Sequence, residues 1–125
     1  MKTKIESKSA PAAIGPYSQA TVAGSTCYVS GMLGIDPATG ELKEGVEAQA
    51  EQALLNLEAV LKAAELTTAS VVKTTVFLTD MSAFSQVNAI YSKHFSAPYP
   101  ARSCVQVSAL PKVGLFEIEA VAVRG

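Results

Sequence analysis

Val71–Leu78 (VVKTTVFL) constrains the fold more than any other stretch of the chain. It is β-branched and apolar on both sides of a strand's alternation, the pattern of a strand buried on both faces. A sheet carrying such a strand needs cover above and below, and the rest of the chain offers little. One helix is expected from about Val46 to Ala64, where Val46, Ala50, Ala53, Leu54, Leu57, Leu61 and Ala64 recur at threes and fours. Glu47, Glu51, Glu58 and Lys62 lie mostly off that stripe. A second helix is expected from a cap at Asp80 or Ser82 to about His94, with an inner stripe of Phe84, Asn88, Tyr91 and Phe95. Two helices cover roughly one face of a sheet of about six strands. Nothing left in the chain covers the other face, so self-association is the expected source of the missing layer.

The remaining segments complete an α/β (α+β) order of strands, helix, strand, helix and two strands. Ser9–Pro16 reads as an irregular lead-in, Tyr17–Val22 as a short strand, and Thr26–Ser30 as a strand ended by Gly31. Asp36–Gly40 reads as a turn between two extended pieces. Ala101–Ala109 and Leu115–Arg124 are expected as strands on either side of a Pro111–Gly114 turn. A chain of 125 residues without repeats or linkers fits one domain, residues 1–125, around one core.

Composition narrows the function. Ten basic and eleven acidic residues give a net charge of −1, and no basic cluster is present to neutralise phosphates. With no Trp and scattered Tyr and Phe, no base-stacking platform is visible, so no nucleic-acid partner is expected. Cys27 and Cys104 form no CxxC pair and no metal spacing with His94, the one histidine. A disulfide between them stays open from sequence; reduced thiols in a cytosolic, cytoplasmic protein are the expectation. No apolar run approaches the ~20 residues of a membrane span, and Met1–Glu6 does not lead into a secretory signal.

Arg102 is the leading candidate for chemistry. It is one of only two arginines, the other being Arg124, and sits in the extended-looking run PARSCVQV. A guanidinium is a planar fork that holds a carboxylate with two parallel hydrogen bonds. Cys104, two residues on, points to the same side of a strand and completes a candidate small-acid site. Glu117 shares a strand face with Leu115, Glu119, Val121 and Val123, where a carboxylate can orient a water or move a proton. Asn88 falls on the apolar stripe of the second helix, where its amide needs partners in a loop backbone or a ligand. Tyr17 and Ser30 flank Pro and Gly turns where side chains can overhang a cleft. His94 ends a helix and reads as a partner of the helix dipole rather than as a catalyst. No phosphate loop, nucleophile elbow or metal signature is present.

Over essentially its whole length the chain resembles the RidA/YjgF family of enamine/imine deaminases. The resemblance rests on APAAIGPYSQA (Ala10–Ala20), VSG (Val29–Gly31), VKTTVFL (Val72–Leu78), VNAIY (Val87–Tyr91), PARSCV (Pro100–Val105) and EIEAVA (Glu117–Ala122). It implies a chorismate-mutase-like mixed sheet with two helices packed on one face, assembled as a homotrimer with sites in clefts between subunits. It implies hydrolysis of short 2-enamino and 2-imino acids, such as 2-aminoacrylate, 2-iminopropanoate and 2-iminobutanoate, to 2-oxo acids and ammonia. These intermediates arise from pyridoxal-phosphate (PLP)-dependent dehydratases, and no cofactor is implied. The family's site maps onto Tyr17, Ser30, Asn88, Arg102, Cys104 and Glu117. On that mapping Arg102 clamps the carboxylate, Glu117 holds or deprotonates water, Cys104 contacts the imine end, Tyr17 and Asn88 close the pocket, and Ser30 supports it. Three departures stand out: Met32 where many members carry Gln at the expected site mouth, Glu65 where a Gly often ends the first helix, and a short His94–Tyr99 segment. The alternatives are a small-acid-binding or regulatory protein of the same fold and an endoribonuclease or translation inhibitor.

Overall fold

The computed structural model describes residues 1–125. Six strands form one sheet: β1 (Lys2–Ile5), β2 (Ala20–Ala23), β3 (Thr26–Leu33), β4 (Val71–Leu78), β5 (Ala101–Gln106) and β6 (Phe116–Val123), in the order β1-β2-β3-β6-β4-β5. Two helices, α1 (Val46–Ala63) and α2 (Phe84–His94), lie between them in sequence. The sheet is mixed: β4 and β5 run parallel, joined by the α2 crossover, and every other pair is antiparallel. β5 and β6 flank the Pro111–Val113 turn but do not pair, because β4 lies between them.

One face of the sheet carries the core. Val29, Met32, Val76, Leu78, Phe116 and Ile118 are buried against Leu54, Leu57, Val60 and Leu61 of α1. Polar side chains pin α1 to the sheet from inside this layer. Asn56, fully buried, donates from Nδ2 to the carbonyls of Leu33 and Ile35 at 3.0 and 2.9 Å. Gln49 donates to the Lys43 carbonyl and accepts from the Leu115 N–H. Neither residue stands out in the sequence, because each lies inside a helical pattern whose apolar neighbours dominate.

The other face is bare. Along β4 the burial alternates from Lys73 to Leu78: Thr74, Val76 and Leu78 are buried, while Lys73, Thr75 and Phe77 are partly open. Glu117, Glu119, Val121 and Val123 of β6 lie on this same side, and so does Tyr28 of β3, half exposed. A single chain therefore leaves Phe77, Val121 and Tyr28 without cover, beside Lys73 and Thr75, on the side away from the helices.

Several expectations need correction. β3 does not end at Gly31; it runs to Leu33 through a register shift between Val29 and Met32, the mark of a bulge. β1 was not expected; it pairs with β2 along the sheet edge. Met32 is among the residues around the Glu117 pocket and is itself 5% exposed, within the core. The inner stripe of α2 is rotated: Val87 and Tyr91 are buried, whereas Phe84 and Asn88 are exposed. Both cysteines are free, Cys27 within the core and Cys104 partly exposed.

Candidate active site

The register of the sheet divides the six candidate residues into two groups. Arg102 and Cys104 pair across the parallel ladder with Thr74 and Val76, which face the helices. Arg102 therefore lies over α2. Its Nη1 donates to Asn88 Oδ1 at 2.8 Å, and its guanidinium carbon lies 4.7 Å from the Tyr91 ring centre and 5.4 Å from that of Phe84. No carboxylate of the chain pairs with it. The stripe of Phe84, Asn88 and Tyr91, expected to face the core, is the seat of this arginine. Burial raises the Cys104 thiol above its ordinary pKa, with the Arg102 charge opposing. A neutral thiol is a poor nucleophile, which fits a contact role better than a covalent one.

Glu117 occupies the opposite face. It pairs in register with Leu33 and Phe77. With Ile14, Tyr17, Gly31, Leu33 and Lys112 it lines a pocket of about 410 Å³. Burial, and secondarily the charge of Glu119, raises its pKa above the usual value for a glutamate. Gly31 makes the room: a Cβ built there would collide with the Glu117 carboxyl. Tyr17 is half exposed at the rim of this pocket.

Two residues hold the Tyr17 segment. Ser30 Oγ donates to the Ser18 carbonyl at 2.6 Å, and Ser30 N–H to the Gln19 carbonyl at 2.9 Å. Ser30 is not among the residues lining the pocket; it ties the strand beneath Gly31 to the loop that carries Tyr17. Gln19, 3% exposed, accepts from the Ser7 N–H and donates to the carbonyls of Ser7 and Pro11, fixing the lead-in from the other side. The sequence reading passed over Gln19, although a glutamine at the start of a strand among small residues hints at a buried amide.

Arg102 and Glu117 do not meet within one chain. They lie two strands and three residues apart, roughly 14 Å between Cα atoms, and point to opposite faces. His94 belongs to neither group. Its Nδ1 and Nε2 lie 2.7 and 2.9 Å from carboxylate oxygens of Glu58 and Glu51 on α1.

Comparison with known proteins gives consistent matches. The family model described as endoribonuclease L-PSP matches residues 7–124. A bovine protein named 2-iminobutanoate/2-iminopropanoate deaminase is 52% identical over 122 residues, covering 97% of this chain and 89% of that protein. The crystal structure of RidA from the Antarctic bacterium Psychrobacter sp. PAMC 21119 superposes with a TM-score of 0.96 at 49% identity, covering 98% of this chain and 99% of that one. That of TdcF from E. coli with bound serine gives a TM-score of 0.93 at 43% identity, over 98% and 99% of the two chains.

Proposed function

The chain belongs to the endoribonuclease L-PSP family, the family of RidA and YjgF, and from that premise we propose that it hydrolyses short 2-imino acids to 2-oxo acids and ammonia. Relatives at about this level of identity carry the name 2-iminobutanoate/2-iminopropanoate deaminase, which sets the substrate class. The observation that carries the reading onto these residues is an unpaired guanidinium on one face and a raised carboxyl in a pocket on the other. A second copy docked on the bare face brings the Arg102 edge of one chain to the Glu117 pocket of its neighbour. A homotrimer closes such a head-to-tail contact without free ends.

The chemistry follows from the parts. A 2-enamino acid becomes the iminium by taking a proton at carbon 3. Arg102 holds the carboxylate and fixes carbon 2 in front of a water, and positioning of this kind removes much of the barrier. On that iminium, Glu117, as the carboxylate, takes a proton from the water as its oxygen bonds to carbon 2 and the C=N electron pair moves onto nitrogen. The tetrahedral carbinolamine then collapses: Glu117 gives its proton to nitrogen, the C–N bond breaks as ammonia leaves, and the hydroxyl proton passes to Glu117 and on to ammonia as the 2-oxo acid forms. A carboxyl whose pKa is raised by burial serves both transfers. Tyr17 and Asn88 shape the two sides, and Cys104 contacts the imine end. An electrophilic iminium needs no metal or covalent nucleophile in this scheme.

The family description also carries the word endoribonuclease. The only imidazole of the chain is held between Glu51 and Glu58, so acid–base cleavage of RNA finds no free histidine. The substrate is expected from a PLP-dependent dehydratase, since these enzymes release enamines. In a coupled assay with such a dehydratase, wild type accelerates 2-oxobutanoate formation. Arg102→Ala should lose at least about 2 kcal/mol of transition-state stabilisation, roughly thirtyfold in kcat/KM, while remaining folded. Spontaneous-rate kinetics with wild-type protein, alongside measurable binding of 2-oxobutanoate, would make the chain a binder instead.

A further inference from the structure

We propose that Tyr91, locked by the buried hydroxyl of Thr74, is the positioning residue that holds the Arg102 guanidinium in its working plane. The inference rests on the imino-acid reading above and deepens it. Three facts converge. Arg102 lies directly across the β4–β5 ladder from Thr74. Thr74 Oγ1 and Tyr91 Oη share a hydrogen bond of 2.8 Å with both residues buried, at 0% and 5% exposure. The Tyr91 ring lies 4.7 Å from the Arg102 guanidinium carbon on one side and packs on Phe95 at 4.5 Å on another.

This is a chain of supports running outward from the core. Thr74 is the one polar residue on the helix side of β4, and a hydroxyl there would leave a buried donor unsatisfied without Tyr91. The hydrogen bond fixes the tilt of the phenol, and Phe95 prevents the ring from sliding along α2. The ring face then offers the guanidinium a flat, weakly negative seat. Asn88, one turn earlier on the same helix, accepts from Nη1. One edge of the fork is thereby occupied, and the remaining N–H groups stay free of protein partners. An arginine on an exposed edge strand would otherwise sample many rotamers, and each bound carboxylate would have to freeze it. Tyr91 removes that freedom in advance.

A residue that orders the carboxylate clamp acts equally in the ground and transition states, so its loss raises KM and leaves kcat nearly unchanged. Tyr91→Leu keeps bulk but removes the ring face and should raise KM for 2-iminobutanoate, and Kd for 2-oxobutanoate, about tenfold. Tyr91→Phe restores the face and should return both to within about threefold of wild type. A wild-type measurement stands beside the variants. Only Arg102 and Arg124 give arginine side-chain Nε–H signals in NMR. The Arg102 signal should be shifted upfield by the ring and rigid before any ligand is added. Kd within twofold of wild type in folded Tyr91→Leu, or an Arg102 Nε–H signal as averaged as that of free arginine, overturns the proposal. Arg102→Ala, run alongside, separates the two failures. If it loses binding while Tyr91→Leu does not, only the positioning role falls; if it binds and turns over normally, the reading of the site falls with it.

Discussion

Arg102 and Glu117 were legible because of their side-chain types, and their separation was not. One of only two arginines, and a carboxylate in a strand whose residues other than Glu117 and Glu119 are apolar, each narrow the chemistry on their own. Their faces depend on which side of each strand meets the helices. In β6 both alternations are plausible insides: Phe116, Ile118, Ala120 and Ala122 on one side, Glu117, Glu119, Val121 and Val123 on the other. In β5 neither side is apolar enough to decide. Only the ladder through Thr74 and Phe77 settles that the two residues point apart. Glu117 carries a direct test. Its pKa is raised, by burial first and by Glu119 second, so the basic form is lost at a higher pH than for an ordinary glutamate. The acid limb of kcat/KM should therefore fall above the usual carboxylate range near 4.3. Glu117→Gln should abolish that limb and lower kcat about a hundredfold or more. A Glu117→Gln enzyme that keeps both its rate and its acid limb removes Glu117 from proton transfer.

At the level of elements, α1 was read to within a residue, α2 begins at Phe84 without the expected side-chain cap, and the fastenings of both were missed. The repeat of apolar residues at threes and fours marks α1, and Asp80 caps the short turn before α2 by accepting from the Ser82 N–H. Side-chain ties between elements leave no such period, so the His94 clamp was read as a dipole contact alone. Carboxylates only accept, so the contacts to Glu51 and Glu58 are both hydrogen bonds when the ring is the imidazolium. Burial alone would lower the His94 pKa; the hydrogen bonds and charges of Glu51 and Glu58 outweigh it and raise it. A folded value above the unfolded one means stability that is full below the ordinary value of about 6.5 and lost as pH rises through the raised one. Both glutamates are substantially exposed, so screening limits the clamp to about 1 kcal/mol. Urea denaturation should show His94→Gln destabilised by that amount at pH 6 and much less at pH 9; an equal deficit at both would assign the loss to packing. The end of α1 offers a second test. Glu65 holds φ 61° in a cap where Leu66 N–H donates to the Leu61 carbonyl and Glu65 N–H to that of Lys62. A left-handed non-glycine residue costs roughly 1 kcal/mol there, so Glu65→Gly should raise stability by up to that amount. A lower melting temperature would contradict the account.

For the whole molecule, Val71–Leu78 reads in sequence as a strand apolar on both sides, whereas in the chain its burial alternates and one side, with Lys73, Thr75 and Phe77, stays open. The structure leaves Phe77, Val121 and Tyr28 on the uncovered face, beside the Glu117 carboxyl, while Arg102 waits on the far edge against α2. On the reading proposed above, apolar cover and the completion of the site call for the same event, the docking of another copy. What no single sequence displays is which residue of one copy meets which residue of the next, because strand alternation carries no information across a gap between chains. Function can report it. Arg102→Ala and Glu117→Gln chains are each expected to be inactive as pure assemblies. If every cleft takes its arginine from one chain and its glutamate from the next, assemblies formed from an equal mixture contain intact clefts wherever a Glu117→Gln chain donates its arginine to an Arg102→Ala chain. In a ring with random order that arrangement occurs at about a quarter of the clefts, whatever the number of copies. Refolding or co-expressing the two variants together should thus restore about a quarter of wild-type activity, whereas mixing the assembled variants without exchange restores none. A site built within one chain predicts no recovery in either case, since every chain in the mixture lacks one of the two groups. The size of the recovered activity therefore measures directly whether the cleft is shared between copies.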